Sequence, residues 1–83
     1  IKMRKLEQTE KDGVLFIVSD KLGYFEEEID DTSNLRNDLG ADSLDEIEIC
    51  VEVEKEFNIK ISDADFEKVK TVNDLYECIE KFL

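Results

Sequence analysis

Apolar residues recur at helical spacing in three separate stretches of this chain. The single stretch that alternates like a strand, Ile59-Lys60-Ile61, has no second strand to pair with. An all-α fold follows: a small antiparallel four-helix bundle of three main helices and one short third helix. Val14, Ile17, Val18 and Leu22 form the first stripe, over about Asp12 to Leu22, and Gly23 supplies its left-handed stop. The second helix is expected from Ser43 to Phe57. Ser43 stands three residues before Glu46, a capping-box spacing, and Asn58 suits the left-handed position beyond the helix. Thr71, three before Asp74, opens the last helix, with Val72, Leu75, Cys78, Ile79 and Phe82 on one stripe. Asp63 to Val69 reads as the short helix, with Phe66 and Val69 inward. Between Gly23 and Ser43 runs a long polar connection anchored by Phe25, Ile29, Leu35 and Leu39, and connections this long in small domains are usually functional.

With 83 residues the chain supports one core, so residues 1–83 are read as a single domain. Residues 1–8 are expected to be disordered or extraneous to it; the only methionine is Met3, so the natural start is placed there or further upstream. The formal charge is −12, and residues 26–56 account for −11 of it, with two basic and thirteen acidic side chains. Such a surface is repelled by nucleic acid and by anionic lipid, and it suits basic protein partners. No apolar run reaches membrane-spanning length and the sequence shows no signal-peptide h-region followed by a small-residue cleavage site, so the expectation is a cytoplasmic, monomeric protein without stable membrane association. The sequence contains no histidine, which leaves no His-assisted nucleophile and no Cys/His metal site; neither catalytic nor metal-ligating residues are expected. Cys50 and Cys78 lie among apolar residues and read as free core thiols, a bridge between them being the alternative.

On a helical wheel Ile49, Cys50, Val53 and Phe57 share one arc of roughly 100° that faces the core. Leu44, Ile47 and Val51 form a second arc, rimmed by acids, with Glu54 between the two arcs and Asp45, Glu48, Glu52 and Glu56 filling the remaining side. A bundle helix needs one apolar stripe. The second is a candidate docking surface for a partner with a basic rim, or else marks a helix packed on both sides. Ser43 stands where the free amides of a helix N-terminus gather, so it is either a plain cap or a residue to be modified.

The string Asp38-Leu39-Gly40-Ala41-Asp42-Ser43-Leu44-Asp45 resembles the prosthetic-group site of the acyl carrier proteins of dissociated (type II) fatty acid synthesis. The resemblance runs from about Val14 to Phe82. It takes in Lys21-Leu22-Gly23, Glu54-Lys55-Glu56-Phe57, Ile59-Lys60-Ile61-Ser62-Asp63 and Thr71-Val72-Asn73-Asp74-Leu75. It implies a carrier rather than an enzyme, with 4′-phosphopantetheine from coenzyme A attached to Ser43 by a phosphopantetheinyl transferase. Asp42 and Leu44 flank that cofactor site. Acyl intermediates would ride on the arm as thioesters between the enzymes of fatty acid biosynthesis. By the same resemblance Ile49, Cys50, Val53, Phe57, Ile61, Val69, Leu75 and Ile79 line an acyl cleft. Asp42, Asp45, Ile47, Glu48, Val51 and Glu54, with Leu44, form a face that docks on basic patches of fatty acid synthesis enzymes and of the transferase.

Ser62 stands where the family often has proline, Glu52 where it often has a small apolar residue, and Lys55 where it often has an acid. These departures imply a more mobile loop and an altered docking surface. Two alternatives stay open: a carrier for a specialised acylation or polyketide pathway, and a non-carrier acidic helical module that binds proteins. A calcium loop starting at Asp30 fails, because Leu35 and Ala41 occupy its required glycine and glutamate positions.

Overall fold

The computed structural model describes residues 4–83. Four α-helices follow in order: α1 (Gln8–Leu22), α2 (Ser43–Phe57), α3 (Asp63–Phe66) and α4 (Val72–Lys81), with a 3-10 turn at Glu26–Glu28 inside the long connection. Among the described residues there is no strand; Ile59 to Ile61 is irregular, and one isolated main-chain bridge joins Asn34 to Thr71. Val14 and Val18 of α1, Ile49 and Val53 of α2, and Val72, Leu75 and Ile79 of α4 are fully buried together with Leu35 from the connection. The core therefore draws on every main helix and on the loop, as the stripes required.

The helix ends are set by local chemistry. Gly23 closes α1 at φ 79° and Asn58 closes α2 at φ 54°, left-handed positions that leave helix carbonyls paired. Thr71 caps α4: its hydroxyl accepts from the Asp74 N–H at 3.0 Å while the Asp74 carboxylate accepts from the Thr71 N–H at 3.1 Å. Those backbone bonds, with another from Lys70, hold the Asp74 carboxyl below its ordinary range. Ser62 caps α3, accepting from the Asp65 N–H at 3.2 Å, which a proline there could not do. The short helix is then tied to α4 by Lys81 Nζ on Asp65 Oδ1 at 2.6 Å. α3 is shorter than Asp63 to Val69; the chain leaves the helix after Phe66, and Val69 is buried from the following turn.

The N-terminal side differs from expectation. α1 begins at Gln8 rather than near Asp12, and the residues just ahead of it make contacts with the bundle. Leu6 is buried, and its N–H donates to Glu80 Oε2 at 2.8 Å. Arg4 grips Glu10 through both guanidinium ends at 2.8 and 2.9 Å, and Glu10 also accepts from the Glu7 N–H at 2.9 Å. Those contacts, the Arg4 hydrogen bond foremost, hold the Glu10 carboxyl down at about 2. Residues 1–3 lie outside the described residues.

The acidic middle third is folded, so its charges are held close together and the fold works against their repulsion. Raising salt or adding Mg²⁺ is expected to raise the melting temperature, because relief of about 1 kcal/mol moves the midpoint of a domain this size by roughly 4–8 °C. A melt unchanged between dilute buffer and added Mg²⁺ would refute this.

Candidate functional site

The loop before α2 is built to present its first turn. Residues 34–39 make one helical turn, with the Asp38 N–H donating to the Asn34 carbonyl at 2.9 Å. Gly40 at φ 74° ends it: the Ala41 N–H reaches back to the Leu35 carbonyl at 2.8 Å and the Gly40 N–H to that of Arg36 at 3.1 Å, a paired closure that requires the left-handed residue. Leu35 and Leu39 are buried by this turn. The same segment is pinned to the start of α4 by the Leu35 N–H on the Lys70 carbonyl at 2.9 Å and the Val72 N–H on the Ser33 carbonyl at 3.1 Å.

The chain leaves Gly40 in an extended conformation, and this decides the cap. Asp42, at φ −105° and ψ −177°, is the N-cap of α2, not Ser43. Asp42 Oδ1 accepts from the Asp45 N–H at 2.8 Å and Asp45 Oδ2 accepts from the Asp42 N–H at 3.1 Å, so Asp45 replaces Glu46 as the returning partner. A carboxylate is an acceptor only and pairs well with helix amides and the positive end of the dipole. Ser43 is thereby released from capping. It is exposed at the first position of α2, and its Oγ accepts a hydrogen bond from Arg36 Nη2 at 3.2 Å. Arg36 in turn holds Glu46 through Nε at 2.8 Å and Nη2 at 2.9 Å. The sequence reading passed over Arg36, although it is the only basic residue between Lys21 and Lys55 and the signal was present.

The two apolar arcs of α2 are separate surfaces. Ile49 and Val53 have no exposure, with Cys50 and Phe57 half-buried beside them, while Leu44, Ile47 and Val51 stand 62%, 59% and 40% exposed. Asp42 and Glu48 are exposed beside that outer strip, and Asp45 is half-buried. Glu54 is tied inward, its Oε2 accepting from the Ile61 N–H at 2.8 Å, so it fixes the turn after α2 as well as edging the strip. The residues assigned to an acyl cleft are brought together: Ile49, Val53, Ile61, Val69, Leu75 and Ile79 are buried in one cluster against which Cys50 and Phe57 pack. They are closed on one another, and admitting a chain would require these side chains to move apart.

Cys50 and Cys78 are free thiols. Partial burial, with Glu54 next in effect, pushes the Cys50 thiol up to about 11, which leaves it a poor nucleophile at neutral pH. No group of three or more His, Cys, Asp or Glu residues is disposed to hold a metal among the described residues, and no helix there is long and apolar enough to cross a membrane. An exposed hydroxyl at a helix N-terminus, without a base beside it, offers a point of attachment for a phosphate-linked group.

Comparison with known proteins agrees with that chemistry. Residues 12–79 match the family described as the phosphopantetheine attachment site. An acyl carrier protein of Thermotoga maritima is 46% identical over 67 residues, covering 81% of this chain and 83% of its own. One of Cyanidium caldarium is 49% identical over 63 residues, covering 76% and 73%, and one of Karelsulcia muelleri is 49% identical over 67 residues, covering 81% of each. The solution structure of an apo doublet acyl carrier protein from prodigiosin biosynthesis superposes with a TM-score of 0.77 at 31% identity, over 90% of this chain and 36% of that longer one. The alternative of an acidic module that carries nothing drops out. The chain belongs to the acyl carrier proteins, whose prosthetic group is phosphopantetheine and which serve as carriers rather than enzymes.

Proposed function

We propose that this carrier bears its 4′-phosphopantetheine on Ser43 and shuttles acyl groups, held as thioesters, between enzymes of fatty acid biosynthesis in the cytoplasm. The observation that carries the reading is the exposed Ser43 hydroxyl at the first residue of α2, freed by the Asp42 cap. The arm supplies a terminal thiol, which the chain itself lacks in reactive form, its half-buried Cys50 being held up at about 11. Around the root of the arm the Ser43 and Leu44 N–H groups are left to the phosphate, since those of Asp45 and Glu46 are taken by Asp42, and the positive end of the helix dipole lies behind them. Asp42 and Leu44 flank the attachment point, and Asp42 keeps the helix start fixed.

Leu44, Ile47 and Val51, edged by Asp42, Asp45, Glu48 and Glu54, offer basic-rimmed partners an apolar strip for brief, salt-sensitive encounters. A transferase and the synthesis enzymes would use it in turn. Ile49, Cys50, Val53, Phe57, Ile61, Val69, Leu75 and Ile79 would line the space an acyl chain enters once the cluster opens.

Intact-mass measurement before and after incubation with coenzyme A, Mg²⁺ and a broad-specificity phosphopantetheinyl transferase tests the attachment. A gain of one phosphopantetheine is expected, and no gain by a folded sample would sink the reading. A specialised pathway is the second reading, because the structural neighbour is named for prodigiosin biosynthesis. The acyl chain found by mass on protein purified from its host separates the two.

A further inference from the structure

Loading Ser43 adds a phosphodiester, one more negative charge, to the most acidic part of the chain: residues 26–56 hold thirteen carboxylates and only two cations, Arg36 and Lys55. Arg36 already touches the atom to be esterified. Its Nη2 donates to Ser43 Oγ at 3.2 Å, and its guanidinium plane is fixed by the two-point grip on Glu46 at 2.8 and 2.9 Å. Nη1 donates to no described residue, so its N–H on the edge it shares with Nη2 remains for a further oxygen acceptor beside Ser43. Glu46 thus acts as a buttress: one turn into α2, it aims a cation from the preceding loop at the attachment point.

We propose that Arg36 is a positioning residue for the prosthetic group: braced by Glu46, it holds the Ser43 hydroxyl in the unloaded carrier and pairs with the phosphodiester in the loaded one, fixing the root of the arm. The inference rests on Ser43 being the attachment point. A merely structural Arg36 would bind Glu46 alike in both states and leave the phosphate environment untouched.

Phosphorus NMR and thermal melts of loaded and unloaded protein distinguish these roles, using wild type, Arg36→Gln and Arg36→Lys, with intact mass verifying loading in each. In Arg36→Gln the phosphorus resonance is expected to move to the position of a solvated diester, and in Arg36→Lys to fall between. Loading is expected to lower the melting temperature of Arg36→Gln relative to its effect on wild type by about 2–4 °C, the scale of one exposed charge-assisted contact in a small domain. A phosphorus resonance and a loading-dependent melting shift identical in wild type and Arg36→Gln would overturn the proposal. Failure of wild type to gain mass would instead overturn attachment at Ser43.

Discussion

Ser43→Ala is expected to abolish the mass gain completely while leaving the melting temperature within a few degrees of wild type. On the proposed reading the hydroxyl is the atom that receives the phosphate, and no neighbour substitutes for it: Leu44 is apolar and Asp42 is committed to the cap. Stability should hardly respond, because Ser43 is exposed, caps nothing, and gives way to the best helix-forming residue; surface changes of this kind stay within about 0.5 kcal/mol. Asp42→Ala should show the reverse. It removes an N-cap worth about 1 kcal/mol, so the melt falls by roughly 4–8 °C, yet the serine remains and the protein still gains mass. Were Ser43 the cap, the order of the two melting temperatures would invert. Paired melts and intact masses of the two variants therefore check the site and the cap together.

The difference between those neighbours also shows where reading the sequence stops. Asp42 and Ser43 are both good caps, and each has an acid three residues on, Asp45 and Glu46, so spacing alone fits either. The choice is made outside the motif, by the closure of the 34–39 turn at Gly40 and its tie to the Lys70 carbonyl, which set where the chain straightens. Features that depend on a few neighbours were legible: the Thr71 and Asp74 box, the stops at Gly23 and Asn58, and the separation of the two arcs on α2. The packing of Leu6 was not, because its partner Glu80 lies 74 residues away. An acid on the last helix ordinarily faces water, and here it is buried to receive a backbone N–H. Arg36 lies between these cases. A lone cation in an acidic run is visible in the sequence, but its grip on Glu46, ten residues away, depends on the same turn.

Two isoleucines on α2 carry the sharpest consequence of its two-faced construction. Ile49 has no exposure and sits in the cluster with Leu75 and Ile79, whereas Ile47, two residues earlier, is 59% exposed. Ile49→Ala deletes buried methyl and methylene groups from a small core, at a cost of about 2–5 kcal/mol. In a domain this size a loss near 3 kcal/mol lowers the melting temperature by roughly 12–24 °C, a large part of a stability that begins at only about 5 kcal/mol for marginal domains. Ile47→Ala should change the melt by no more than about 0.5 kcal/mol, since the side chain is already in water. Its effect appears with a partner: removing an apolar anchor from the centre of a docking strip costs about 1–2 kcal/mol, or roughly 5–30-fold in the transferase KM for the protein. Melting curves and loading kinetics of both variants separate a residue that holds the bundle from one that is offered to others. If Ile47→Ala loads with wild-type kinetics, the outer strip is not where the transferase docks. If Ile49→Ala melts like wild type, the inner arc is not the core. Only a helix that keeps the two jobs on separate faces gives both losses, each in its own measurement.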